Sequence, residues 1–389
     1  MNIHPGLKDG PIYLDYNATT PVDPVVFETM QPYLSLQFGN PSSSHRYGQA
    51  AHEAVVRARL QVAGLLGCAP DEIIFTGGGS ESDNLAIRGM ALARKGQGNH
   101  IITQVTEHPA VLNACRALER LHGFRVTYLP VDAYGRVDPA DVEAVIDAST
   151  ILITIMHANN ETGTLQPLRE MAEIAHRHGV LLHSDAAQSV GKIPTSVGEL
   201  GVDLLTVAAH KLYAPKGIGA LYVRRGLQIE PLIYGGGQES GRRAGTENVA
   251  YMVALGTACE LAREQLPESQ VRLRNLRDRL QSRLEQELPG RIHLSGHESE
   301  RLPNTLNISV EGVIGEEVLA ATPEIASSTG SACHEGNTDP SPVLLAMGRR
   351  RELALGALRL TLGRWSTEEE IERAARLLAR SVDSLSRKR

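Results

Sequence analysis

Between residues 73 and 225, short apolar runs recur along the chain, and most are separated by stretches of helical character. Seven of them read as strands: Ile73-Ile-Phe-Thr76, Ile101-Ile-Thr103, Arg125-Val-Thr-Tyr-Leu129, residues 151–156, Val180-Leu-Leu-His183, Leu204-Leu-Thr-Val207 and Gly219-Ala-Leu-Tyr-Val223. They are apolar at most positions rather than at alternate ones, the pattern of strands covered on both faces. The economical architecture is therefore α/β, a mainly parallel seven-stranded sheet wound with helices on both sides.

After Gly245 the pattern changes. A helix-rich stretch reaches about Glu287, with Leu273, Leu276, Leu280 and Leu284 at helical spacing. Arg272, Arg274, Arg277, Arg279 and Arg283 are expected on its solvated face. Leu288-Pro-Gly290 then breaks the helix, and short strands (residues 305–310 and 358–361) alternate with helices up to a last one starting at Thr367, whose three following glutamates suit a helix N-terminus. This predicts a smaller α+β domain. The expected division is a large domain over residues 15–260 and a small one built from residues 1–14 and 261–389.

Composition narrows the function more than the fold. The chain has 389 residues, 39 basic against 45 acidic, and a formal charge of -6. A dedicated nucleic-acid binder normally carries a basic excess, so no nucleic acid is expected as partner. The longest apolar run is far short of the roughly 20 residues that span a bilayer. No membrane association is expected, and the absence of an apolar signal core near the N-terminus points to the cytoplasm. Four cysteines, Cys68, Cys115, Cys259 and Cys333, are too scattered for a disulfide framework or a metal knuckle, and no other metal constellation stands out.

Three segments carry chemistry. Thr76-Gly-Gly-Gly-Ser-Glu81 closes a strand and opens a helix, a turn whose free N–H groups suit a phosphate, yet it lacks both the dinucleotide and the Walker spacing. Asp185, at a strand end, can keep a pyridine nitrogen protonated or cap a helix. Lys211, shortly after another strand, pairs with an acid or forms a Schiff base. Phosphate turn, strand-end Asp and strand-end Lys, in that order, are the parts of a pyridoxal phosphate site. Cys333 lies in a polar, glycine-containing stretch where a packing role gains little, so a reactive thiol is expected.

With these residues in view, the chain resembles the cysteine desulfurases of the class-V, fold-type I pyridoxal phosphate enzymes, with features of selenocysteine lyases. The likeness rests on an ordered set that runs nearly end to end. It includes Tyr13-Leu-Asp-Tyr-Asn-Ala-Thr-Thr-Pro21, Phe38-Gly-Asn-Pro-Ser42, Glu81-Ser-Asp-Asn84, Thr106-Glu-His108, Met156-His-Ala-Asn-Asn-Glu-Thr-Gly163 and the stretch from Asp185 to Lys192. It continues through His210-Lys211, Ala244-Gly-Thr-Glu-Asn248, Gly330-Ser-Ala-Cys333 and Leu358-Arg-Leu-Thr-Leu-Gly-Arg364.

The resemblance implies a homodimeric enzyme that takes sulfur from L-cysteine, leaves L-alanine and passes a persulfide to a protein acceptor. Lys211 matches the lysine that carries the cofactor. His108 matches the residue stacked on the ring, Asp185 the partner of the pyridine nitrogen, and Gln188 the contact of the ring hydroxyl. Gly79, Ser80 and His210 match phosphate ligands, with Thr246 supplied by a second subunit. Asn160 and Arg359 match the binders of the substrate carboxylate, and Cys333 the acceptor thiol. Two departures qualify the picture. Ala208 stands where many relatives have a phosphate-binding hydroxyl, and Cys333 is followed by His334-Glu-Gly336, while Pro340-Ser-Pro-Val-Leu-Leu345 resembles selenocysteine lyases. Release of selenium from L-selenocysteine is the alternative these features imply.

Overall fold

The computed structural model describes residues 3–330 and 339–387. Its centre is a seven-stranded sheet made of β1 (Ile73–Thr76), β2 (His100–Gln104), β3 (Arg125–Leu129), β4 (Thr150–Thr154), β5 (Leu181–Asp185), β6 (Leu204–Ala208) and β7 (Gly219–Val223). In space the order is β1-β7-β6-β5-β4-β2-β3. The four pairs from β3 to β6 are parallel, and β7 lies antiparallel to both β6 and β1.

Successive strand residues enter different cores, as the period of two requires. Phe75, Ile102, Ile153, Leu182 and Leu205 share one cluster, while Ile74, Ile101, Leu152, Leu181 and Leu204 share another. That is why the runs are continuously apolar. Helix α1 (Arg46–Leu66) packs on the first face. Helix α2 (Gly79–Asn84), prolonged by a π turn at Leu85–Gly89, and α3 (Pro109–His122) cover the second. Helix α4 (Leu168–Arg177) and the first half of α5 (Val249–Glu287) return to the first. Where α5 crosses α1 the backbones nearly touch: a Cβ on Gly256 would stand 2.6 Å from Ala58 Cα, so only glycine fits.

A second core forms beside the sheet. Strands β8 (Ile292–Leu294), β9 (Thr305–Val310) and β10 (Ala357–Thr361) make an antiparallel sheet in the order β10-β9-β8. Leu273, Leu276, Leu280 and Leu284 of α5 bury against it together with Ile371 and Leu378 of α6 (Glu368–Ser386). Thr367 and Glu370 close a reciprocal capping box at the start of α6.

Arg274 and Arg279 of α5 are exposed as expected, but two other arginines correct the expectation of a solvated face. Arg277 is buried and donates to the Leu302 carbonyl. Half-buried Arg272 donates to the carbonyls of Gly363, Arg364 and Ser366. Long side chains with five donors can satisfy carbonyls left open at loop turns, a role that helical periodicity does not reveal. Among the described residues, no helix is long and apolar enough to cross a membrane.

Candidate active site

Because β2, β4, β5 and β6 are parallel, and β1 runs the same way through its antiparallel neighbour β7, their carboxyl ends open on one edge of the sheet. Open α/β sheets bind ligands there. The turn after β1 brings Gly79 and Ser80 to this edge, the turn after β2 brings His108, and the segment after β4 brings Asn160. Strand β5 ends on Asp185 with Gln188 close behind, and β6 runs into His210 and Lys211. Residues far apart in the chain are thereby gathered by topology alone.

Asp185 is buried, and its Oδ1 accepts the Ala187 N–H at 2.9 Å. Burial pushes its carboxyl above the usual range, against the pull of the Ala187 N–H, His108 and Lys211. Such a carboxylate gains from a cationic partner. Side-chain atoms of Asp185, Asp83 and His108 lie within 4.8 Å of one another. Asp83 is itself buried; its Oδ1 makes no described hydrogen bond and lies 3.8 Å from His183 Nε2, and burial reinforced by Asp185 drives it well up. Below them, His183 bridges Thr154 at 2.8 Å and Thr206 at 3.1 Å, tying three strands together. Burial pushes His183 down to about 3, so it stays neutral. His108 caps α3 through Nδ1, which accepts the Ala110 N–H at 3.2 Å and leaves Nε2 to carry the proton. Its pKa is lowered by burial despite Asp185.

Lys211 Nζ donates to the backbone carbonyls of Asn17 and Ala18, at 2.5 and 2.6 Å. Burial and the positive Arg359 bring it down to about 8, opposed by Asp15 and Asp185. His210 is held by Thr19 at 3.2 Å, and burial beside Lys211 lowers it to about 4. Arg359 is buried on β10 and pairs with Asp15 at 2.8 Å. Its Nη1 reaches the Asn160 carbonyl at 3.3 Å, and its Nε has no hydrogen-bond partner among the described residues. Thr246 is exposed, three residues beyond Arg243, which pairs with Glu81 at 2.8 Å, and no described hydrogen bond joins it to Ser80 or His210. Cys333 lies outside the described residues.

The sequence reading gave no role to Asn17, yet it is the hub of the site. Its Nδ2 donates to Thr305 and to the Asn160 carbonyl, its Oδ1 accepts from Lys192 and Asn304, and its carbonyl accepts from Gln188 and Lys211. It thus links the two cores. Asp15, Asp83 and Lys192 were also passed over. All four lie within the stretches that carry the family likeness, the only signal that marks them.

These features fit pyridoxal phosphate. The orphaned Arg359 Nε awaits an anion, and a buried carboxylate at Asp185 awaits a ring cation. Gly79 lies so close to β6 that a Cβ there would stand 3.1 Å from Ala208 Cβ, and no described hydrogen bond occupies the Gly79 or Ser80 N–H at the start of α2. The chain belongs to the pyridoxal phosphate-dependent class-V aminotransferase family, described as aminotransferase class-V and matched over residues 12–374. Within it the chain falls among the cysteine desulfurases. It is 48% identical over 376 residues to the cysteine desulfurase IscS of Dictyoglomus turgidum, covering 96% of this chain and 95% of that one. The IscS of Klebsiella pneumoniae is 47% identical over 380 residues, 96% of this chain and 93% of its own. A solved NifS-like protein superposes with a TM-score of 0.90 at 38% identity, over 96% of this chain and all of its own. A structure described as SspA in complex with cysteine gives 0.80 at 39% identity, over 91% and 99% of the two chains.

Proposed function

We propose that this site converts L-cysteine to L-alanine and leaves the sulfur on Cys333 as a persulfide for a protein acceptor. The observation that carries the reading is the convergence of Lys211, Asp185, His108 and Arg359 on one sheet edge. When bound, pyridoxal phosphate supplies an electrophilic carbon and a ring that accepts electron density. The protein does the rest. Asp185 holds a proton on the ring nitrogen. The free N–H groups at Gly79 and Ser80, with neutral His210 donating, hold the phosphate. Gln188 meets the ring hydroxyl.

Arg359 and Asn160 receive the substrate carboxylate. Asp15 occupies only one corner of the guanidinium, so donors remain for a paired contact. Lys211, with a pKa near 8, is neutral often enough at physiological pH to take the proton from the substrate Cα, and neutral His108 is placed to move protons nearby. Cys333 as thiolate then attacks the substrate sulfur. The S–S bond forms, the Cβ–S bond breaks, and the carbon fragment takes up the bonding electrons with a proton to leave as alanine.

A second copy of the chain completes the site in this reading. Phe27, Leu34, Leu36, Phe38, Tyr47 and Leu60 are large, apolar and exposed, and Phe38 stacks on Tyr47 at 5.5 Å; subunit association would cover such side chains. Thr246 would then reach the phosphate across the interface.

Holoenzyme given L-cysteine and a thiol acceptor is expected to release alanine and sulfide in equal amounts; pyruvate with ammonia instead of alanine would sink the proposal. Arg359→Leu is expected to raise KM for L-cysteine on the order of 100-fold, from loss of a charge-assisted paired contact, with the cofactor still bound. An unchanged KM would remove Arg359 from the substrate site.

A further inference from the structure

Lys192 is a buried lysine without an acid. Among the described residues no carboxylate lies within ion-pair distance of it, and its charged neighbours are the cations Lys211 and Arg359. Its Nζ instead donates to Gln188 Oε1 at 2.9 Å and to Asn17 Oδ1 at 3.3 Å. Burial beside Lys211 and Arg359 holds its pKa well below the ordinary lysine value, and a lysine buried without an acid asks for a reason beyond packing.

The reason lies in the two hydrogen bonds that the Lys192 amine donates. A primary amide can turn over and exchange its oxygen for its NH2 at little cost unless a neighbour distinguishes them. The amine donates to two oxygens at once, Gln188 Oε1 and Asn17 Oδ1, and the second is fixed as an acceptor because Asn17 Nδ2 already donates to the Asn160 carbonyl. Its other N–H meets the Gln188 amide oxygen. The NH2 group must then point the other way, where one N–H already meets the Asn17 carbonyl at 3.0 Å and the second is left to donate. The Asn17 carbonyl, an acceptor, enforces the same orientation from the opposite end. Gln188 is thus locked by a donor at its oxygen and an acceptor at its nitrogen.

We infer that Lys192 is a positioning residue that fixes the Gln188 amide so that it presents N–H, and not C=O, to the ring hydroxyl of the cofactor. The inference rests on the reading that Gln188 meets that hydroxyl. An N–H donor stabilises the ionised ring oxygen, whereas a carbonyl there would repel it.

The test uses apo-protein titrated with pyridoxal phosphate and the pH profile of the visible absorbance of the bound cofactor. Lys192→Met is expected to weaken cofactor binding about tenfold and to move the absorbance midpoint up by about one pH unit, the scale of one lost charge-stabilising hydrogen bond. Gln188→Ala is expected to do the same, and the double variant to be no worse than Gln188→Ala within about twofold, since two residues acting through one contact are not additive. Gln188→Glu guards against a folding artefact: its carboxylate pairs with Lys192, yet it offers no N–H, so binding falls at least as far as in Gln188→Ala. A silent Lys192→Met beside an active Gln188→Ala would overturn the role of Lys192 alone. A silent Gln188→Ala would overturn the contact between Gln188 and the cofactor, and the inference with it. Full additivity in the double variant would show that Lys192 acts by another route.

Discussion

Lys211→Ala is expected to lose the visible absorbance of covalently held cofactor and to lower turnover by at least about a thousandfold, the scale associated with removing both a covalent anchor and a general base. The argument starts from the two lysines at this edge. Lys192 is buried and Lys211 partly so, and both are lowered, but they are held differently. Lys192 is engaged by two side-chain amides. Lys211 rests on two backbone carbonyls, which any incoming electrophile can replace without leaving a side chain unpaired. With a pKa near 8, Lys211 is mostly protonated at pH 6 and mostly free at pH 9. Cofactor uptake by apo-protein should therefore quicken as pH rises through about 8. Borohydride reduction of the holoenzyme followed by peptide mapping should place the label on Lys211. A label on Lys192, or an unchanged spectrum in Lys211→Ala, would refute the assignment.

Much of this site was legible because the sheet declares itself. Strands buried on both faces leave continuous apolar runs, and residues at their carboxyl ends, Asp185 and Lys211 among them, can be marked from sequence. The direction of β7 was not legible, since burial does not depend on whether a strand runs with or against its neighbours. Nor was β8, three half-exposed residues long. Asn17 escaped because its meaning is entirely long-range: it bonds Thr305, 288 positions away. Asp83 sits in a polar run at a helix start, where an acid suggests a solvated dipole partner. Only the packing of α2 against the sheet turns it into a buried acid beside Asp185.

Sequence context already separates Cys333 from the other three cysteines, and electrostatics sets those three aside. Cys115 and Cys259 are buried, and Cys68 is partly so; burial raises the Cys68 and Cys115 thiols to about 12 and Cys259 further still. At pH 8 such thiols carry almost no thiolate, and the thiolate is the nucleophile. That leaves Cys333 as the cysteine of the proposed sulfur transfer. The chain on either side of it is anchored to the site: Ser327 Oγ donates to the Arg359 carbonyl at 2.6 Å, and Ser341 Oγ donates to buried Glu161. Cys333→Ala is expected to keep cofactor absorbance and the shift it shows on adding L-cysteine, while protein-bound persulfide falls by at least about a thousandfold, as for loss of a covalent nucleophile. Replacing Cys68, Cys115 or Cys259 by alanine should leave transfer within about twofold, provided the variant folds, because cavities in the core affect stability before chemistry. Isotopically labelled cysteine and intact-protein mass spectrometry separate the outcomes. A persulfide that forms on Cys333→Ala at the wild-type rate would move the acceptor to another residue. Absorbance lost together with transfer would mean that Cys333 shapes the cofactor site rather than receiving sulfur from it.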